Sequence, residues 1–387
     1  MKLELTVTRG ATGEVVSIAR VSRPLGRVQE LPDAAADTLL GSLGLRRAAP
    51  RAAPPPRRDS IAYDLYLRGR YQADRRTEAA LGRSVELFRQ AIARAPGFAE
   101  AWAGLVRALQ FSLNWRYRIP GVPPDSVVPL MVAASDRALE LDSARAYVWI
   151  ARSLVLRAIE PTSRRDQLAA LARAIAADSS SDDAWLFFGN SWEDSLEPAR
   201  ALAAFRRAVR IDPTHLQALG FLALHYMWAR QYDSAAMWAD SGERIDPTHI
   251  LVRQASGLIR LLRGDLGGAE DEFQTVVRVG QGHDAVVAWA GLAEIAFRRG
   301  DHRAADTLLA RARATVDTLH PSLHDAPYLA WGYAATGEEA RAIRLLERFE
   351  PRRDTHFQLH LQRDPTLDRL RADPRFTALL SRPDAAR

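Results

Sequence analysis

The feature that most constrains this chain is a self-similarity at 34 residues. IDPTHLQA (211–218) returns as IDPTHILV (245–252), so that Pro213 and Pro247 stand one period apart. The same offset links Asp178, Asp212 and Asp246, and it links Ala201, Ala235 and Ala269. Leu171, Phe205, Ala239 and Phe273 follow it, as do Gly189, Ala223 and Gly257. Small residues recur at two fixed places and bulky apolar ones at others, which is what closely packed helix pairs require. A unit this short cannot bury its own apolar face, so successive units must stack into an array.

Within each unit the local pattern is helical. ARALAAFRRAVRI, for example, sets apolar residues at i, i+3, i+4 and i+7, giving one buried stripe. The recurring Asp-Pro pairs punctuate, because proline disfavours helical geometry at the residue before it while its own fixed φ suits a helix start. The prediction is an all-α chain of helix pairs over residues 60–350, with essentially no strand.

The best copy begins at Asp182 and carries Trp185, Phe188-Gly189, Trp192, Ala201, Phe205, Ala208 and Asp212-Pro213. Trp102, Trp149 and Trp289 stand where other copies begin, and Gly264-Asp265, Gly300-Asp301 and Gly337-Glu338 mark turns. This spacing resembles the tetratricopeptide repeat (TPR). The resemblance implies a TPR-like α-solenoid of about eight helix pairs, with RDPTLDRLRADPRFTALL as a closing, capping pair within a unit spanning 60–387. The four tryptophans at helix starts are expected to be largely buried between helices. The second repeat carries an insertion near SLNWRYRIPGVPPD, where Trp115, Arg116, Tyr117 and Arg118 would contact a partner or fold back over the array's edge.

Residues 1–46 follow a different pattern. KLELTVTRG and EVVSIARVSR read as two strands about a Gly13-containing turn, and ELPDAAADTLLGSLGL as a helix behind Pro32. TGEVV followed by a helix ending in LGL resembles the tail of the TolB-like domain that precedes TPR arrays in bacterial signalling proteins. Such a small αβ fragment buries too little apolar surface to stand alone, so it is expected to be incomplete, pairing with further sequence or another chain, or to fold back on the first repeat. RRAAPRAAPPPRRDS makes 47–59 a Pro/Arg-rich linker.

Composition narrows function. The net charge of +6 suggests nucleic acid, but Lys2 is the only lysine and the arginines alternate with Asp and Glu without aromatic interleaving, so no direct nucleic-acid binding is expected. The absence of cysteine removes thiol chemistry and fits either the cytoplasm or an extracytoplasmic compartment. No stretch is apolar enough to span a membrane. With one lysine there is no phosphate-binding GxxxxGK[ST] loop, and no G-x-S-x-G, H-E-x-x-H or dinucleotide G-x-G-x-x-G occurs, so the expectation is no enzyme, no cofactor and no small-molecule substrate.

His320/His324 and His356/His360 have i, i+4 spacing but lack a carboxylate partner, and Pro321 interrupts the first pair, so no metal site is expected. His215 and His249 are repeat-equivalent and read as turn or capping residues. What remains is a protein-interaction scaffold holding a peptide or helix in its groove. The alternative is the regulatory region of a longer kinase, cyclase or winged-helix regulator. In the TPR register the concave face takes Asn190, Leu224, Trp228, Leu258, Glu294, Phe297 and Arg298. Its centre is expected to be apolar, with Glu193, Asp194 and Arg298 toward the flanks. The carboxylate clamp of this family uses lysines with asparagine, and only Asn190 matches it, so a hydrophobic partner is expected rather than an acidic tail.

Overall fold

The computed structural model describes residues 2–8, 15–22, 34–35, 38, 59–75, 77–115, 117–159, 164–280, 282–319, 325–348 and 355–380. The linker (Asp59 apart), most of the helix expected after Pro32, the side chains of Trp115 and Arg116, and the His320/His324 pair lie outside them.

Sixteen of the described helices form eight consecutive pairs. They are α1 (Ser60–Asp74) with α2 (Glu78–Arg94), α3 (Ala99–Trp115) with α4 (Val127–Asp142), and α5 (Ala146–Ile159) with α6 (Arg164–Ala177). Next come α7 (Asp182–Glu193) with α8 (Pro198–Ile211), α9 (Leu216–Trp228) with α10 (Tyr232–Ile245), and α11 (Ile250–Leu262) with α12 (Leu266–Val279). The last are α13 (His283–Arg298) with α14 (His302–Leu319), and α15 (Asp325–Ala335) with α16 (Glu339–Glu347). A closing unit follows: α17 (Thr355–Arg363), a 3-10 turn and α18 (Pro374–Leu379). The fold is therefore the TPR-like α-solenoid anticipated from the period. Ahead of it, β1 (Lys2–Thr8) pairs antiparallel with β2 (Val15–Ser22). Val21 and Ala35 pack with Tyr63 of α1, so this fragment meets the first repeat.

Each α8-type helix forms because its apolar stripe has somewhere to go. Ala201, Ala204, Phe205, Ala208 and Val209 are all buried, and Pro198 starts the helix. The helix starts owe as much to aspartate as to proline. Asp178, Asp212 and Asp246 each accept, through one carboxylate oxygen, both the backbone N–H and the hydroxyl of the Ser or Thr two residues on. His215 and His249 do stand at the N-caps of α9 and α11, but their side chains make no capping bond.

Between the helices of a pair the chain turns through one left-handed residue. Gly264, Gly300 and Gly337 take φ near +84°, +83° and +86°. One and two periods before Gly264, the same place is held by Arg230 (φ 60°) and Leu196 (φ 57°), where a side chain makes this conformation unfavourable.

Close approach between helices depends on glycine beside phenylalanine. Phe273 lies between Gly257 of its own repeat and Gly291 of the next, and a Cβ at Gly257 would stand 2.6 Å from its ring. Phe88 sits likewise between Gly69 and Gly104. The tryptophans at helix starts are half-buried rather than largely buried. Their indole N–H groups must find an acceptor, and Trp102, Trp149 and Trp185 each donate to the carbonyl six residues earlier, at 2.9, 2.8 and 3.1 Å. Arg253, two periods after Trp185, makes the equivalent bond to Pro247. Arginines of the second helices lie over the rings of Trp149, Trp185 and Trp289, at 4.7, 5.9 and 5.2 Å.

The solenoid also bridges its own interior. Arg107 of the second repeat binds Asp74 of the first and Asp183 of the fourth. Tyr117 is buried instead of presented outward, and its hydroxyl donates to Asp284 of the seventh repeat at 3.2 Å. The insertion thus turns inward, taking Ile119 and Val122 with it. In the closing unit Phe357, Gln358, Leu359, His360 and Leu361 are all buried, because α17 lies against α15 and α7.

Gly257→Ala should cost about 1–3 kcal/mol, because Phe273 must move. Gly267→Ala, with nothing within 4 Å of its added Cβ, should be neutral or slightly stabilising. Trp185→Ala should cost about 1–3 kcal/mol, below the range of a fully buried aromatic. Urea titrations followed by circular dichroism check all three; equal midpoints for the two glycine variants would contradict the packing described here.

Candidate functional site

The inward-facing helices enclose a cavity of about 730 Å³. Residues of all eight pairs contribute, mostly through their first helices or the loops before them, with Asp325 and Tyr328 from α15, and α17 adds His360. Asn190, Glu193, Asp194, Leu224 and Trp228 all line it. Leu258, Glu294, Phe297 and Arg298 do not. Leu258 is packed in the repeat core, and Glu294 accepts the indole N–H of Trp331 at 2.6 Å. Arg298 pairs with Glu294, and Phe297 stands edge-on to His302 at 4.7 Å. The register is the same in α13 as in α7 and α9, but Trp331 of α15 caps Glu294, and Phe297 and Arg298 are turned out of the cavity.

The wall is more polar than expected. Nine carboxyl groups and four arginines line it, where an apolar centre was anticipated. Glu193 and Asp194 are 2% exposed, so they are built into the wall rather than set on its flanks. Asp194 is held by Arg157 and Arg164, each at 3.2 Å. At the opposite end of α7 lies a second ionic group. Asp183 receives Arg107 at 3.1 Å, with Arg70 3.9 Å and His215 Nε2 3.5 Å away. Burial pushes the Asp183 carboxyl up, but Arg107 and His215 outweigh it and hold it well below the usual carboxylate range.

At Glu193 the charge of Arg157 compensates too little. Burial, and next the charge of Asp194, raise its pKa well above the ordinary glutamate value. His225 Nε2 lies 3.3 Å from its Oε1 but out of line for a hydrogen bond. Burial lowers the His225 pKa from 6.5 to about 3, so the imidazole is neutral. Trp228 bridges from this pair to α17: its ring lies 5.1 Å from His225 and 5.0 Å from His360. His360 also meets Tyr328 edge-on and sets Nδ1 3.4 Å from Asp364. Its role is packing, and the side chain of His356 lies outside the described residues. No group of three His, Asp or Glu able to hold a metal occurs among the described residues.

Sequence reasoning found the carboxy-terminal ends of α7 and α9 and missed the rest. Arg70, Arg107, Asp182, Asp183, Asp284 and Tyr328 join the site through the curl of the array, which no local pattern encodes. Asp182 and Asp183 also form the acidic first turn of α7.

Among the described residues no helix is long and apolar enough to cross a membrane. No family model and no curated protein sequence matches this chain. Solved structures do. One titled as the APC/C hetero-tetramer Cut9–Hcn1 superposes with a TM-score of 0.59 at 14% identity, covering 82% of this chain; this chain spans 54% of that one. Yeast Tom70 matches at 0.44 and 16% identity over 87% of this chain and 70% of its own. YrrB, described as a TPR protein with an unusual peptide-binding site, gives 0.37 and 20% identity over 47% of this chain and 92% of its own. At these identities the likeness establishes the fold, through the first of the three.

The raised pKa of Glu193 has a signed consequence. The folded state keeps a proton that the unfolded chain has lost, so its contribution to stability is present below the ordinary glutamate pKa and declines as pH rises through the folded value. Glu193→Gln removes this term. Between about pH 5 and about pH 8 the variant should gain in urea midpoint relative to wild type. A constant difference across that window would show that Glu193 is ionised in the fold.

Proposed function

We propose that the chain is a protein-interaction scaffold that takes a peptide or short helix into its interior groove. The observation that carries this reading is that two exposed apolar side chains stand in the wall of the cavity. Tyr71 and Val279 line the cavity yet are 62% and 37% exposed, which sets them at its mouth, one from the first repeat and one from the sixth. An exposed tyrosine beside a concave, partly apolar wall is the composition of a binding hot spot. The seating of α17 against α7 and α15 supports the same reading, since this interior accommodates a helix. A role in bacterial signalling or regulation is proposed on the sequence resemblance of residues 1–46 alone.

The test compares substitutions at the mouth with one of equal exposure elsewhere. A Tyr71→Ala/Val279→Asp double variant should lose most of the proteins captured by wild type, whereas Met237→Ala, at an exposed site away from the cavity, should keep them. Both variants change surface positions, where stability moves by about 0.5 kcal/mol or less. Matching captures from both variants in quantitative pull-downs would remove the groove from consideration.

A further inference from the structure

The chamber is acidic inside a chain that is basic overall: nine carboxyl groups face four arginines in its wall, against a net charge of +6 for the whole sequence. Acids alone would make only a solvated funnel. What marks a ligand site is a set of buried polar atoms that make no hydrogen bond on one stretch of that wall, although the neutral His225 imidazole stands 3.3 Å from Glu193 Oε1. Asn190 and Glu193 stand one turn apart on α7 and both line the chamber. Neither Asn190 Oδ1 nor Glu193 Oε1 accepts a hydrogen bond, and Glu193 is 2% exposed. Trp228, on α9, is 7% exposed, lines the same chamber, and its indole N–H donates to nothing.

These atoms specify the chemistry that would satisfy them. Two orphaned oxygens one turn apart call for a group with several donors in one plane, and a guanidinium carries five N–H groups in a fixed fork. An orphaned indole N–H calls for an acceptor, which a peptide carbonyl supplies. Phe221, Leu224 and Tyr328 offer apolar and aromatic surface to the stem between them. The chain's own nearby cations are committed elsewhere, Arg157 and Arg164 to Asp194 and Arg107 to Asp74 and Asp183.

We infer that the chamber takes an arginine side chain of a peptide partner, its guanidinium on Asn190 and Glu193 and a backbone carbonyl on Trp228. This rests on the peptide-binding reading above and gives it a charge: the partner is basic. Binding is coupled to a proton, because burial and the charge of Asp194 favour the protonated Glu193 carboxyl in the empty chamber against the pull of Arg157, and an adjacent guanidinium favours the carboxylate.

Calorimetric titration of the full chain with two pools of acetylated tripeptide amides, X-Arg-X and X-citrulline-X, tests it, since citrulline keeps the shape of arginine and loses the charge. Agmatine serves as the free small cation. The arginine pool should bind at least about 30-fold tighter than the citrulline pool. Repeating the titration in buffers of different ionisation enthalpy should show protons released on binding the arginine pool, and none from Glu193→Gln. Glu193→Gln should bring the two pools within about threefold of each other. Asn190→Ala, at a half-buried position, should weaken the arginine preference and keeps the test open if the first variant does not fold. Equal affinity for the two pools, or an arginine preference that both variants leave intact, overturns the inference. Binding of agmatine without the arginine pool assigns the chamber to a free amine and overturns the peptide source. If neither pool binds while the mouth variant still loses its captures, this inference alone fails; if those captures also survive, the peptide reading fails with it.

Discussion

The structure depends on how near two helices can come. Where Phe273 fills the slot between Gly257 and Gly291, a single ring sets the spacing both within a repeat and between repeats. Phe88 does the same between Gly69 and Gly104. A Cβ at any of these glycines would push the helices apart, and in a stacked array a small displacement at each step accumulates into a wider curve. The tightness of the curl, and with it the meeting of repeats one, two and four around Arg107, follows from these contacts.

The period made the fold legible, because it reports the small and large positions directly. Eight pairs and the helical limits follow from Asp-Pro, Gly-Asp and the apolar stripe. The tryptophans were misjudged for a chemical reason: an indole placed at a helix start must serve its N–H, and Trp185 does so at the edge, on the carbonyl of Ser179. The turn at Leu196 and Arg230 carries no glycine and was not readable as the same turn, although the backbone adopts it. The inward path of Tyr117 was equally hidden, since its partner Asp284 lies 167 residues away.

The groove shows a similar division. Asn190, Leu224 and Trp228 were placed by register, which repeats faithfully. Glu294 obeys the same register but is covered, because Trp331 of α15 packs on it, whereas Arg298 is exposed and lies outside the cavity. The charge of the wall was illegible for another reason. Asp74, Asp183 and Asp284 come from three different repeats, and each looks locally like an ordinary helix-end acid.

Contacts that skip repeats also constrain how such a chain can change over generations. In an open solenoid a whole unit can be gained or lost with only its neighbours affected. Here Tyr117 reaches Asp284 and Arg230 reaches Asp368 across fixed numbers of intervening units. Duplicating or deleting one unit between them would carry each partner away by a full step of the superhelix and leave a buried tyrosine and a carboxylate facing the wrong residues. A change in the number of units would cost both contacts, whereas substitution within a unit or in an outer loop leaves them in place.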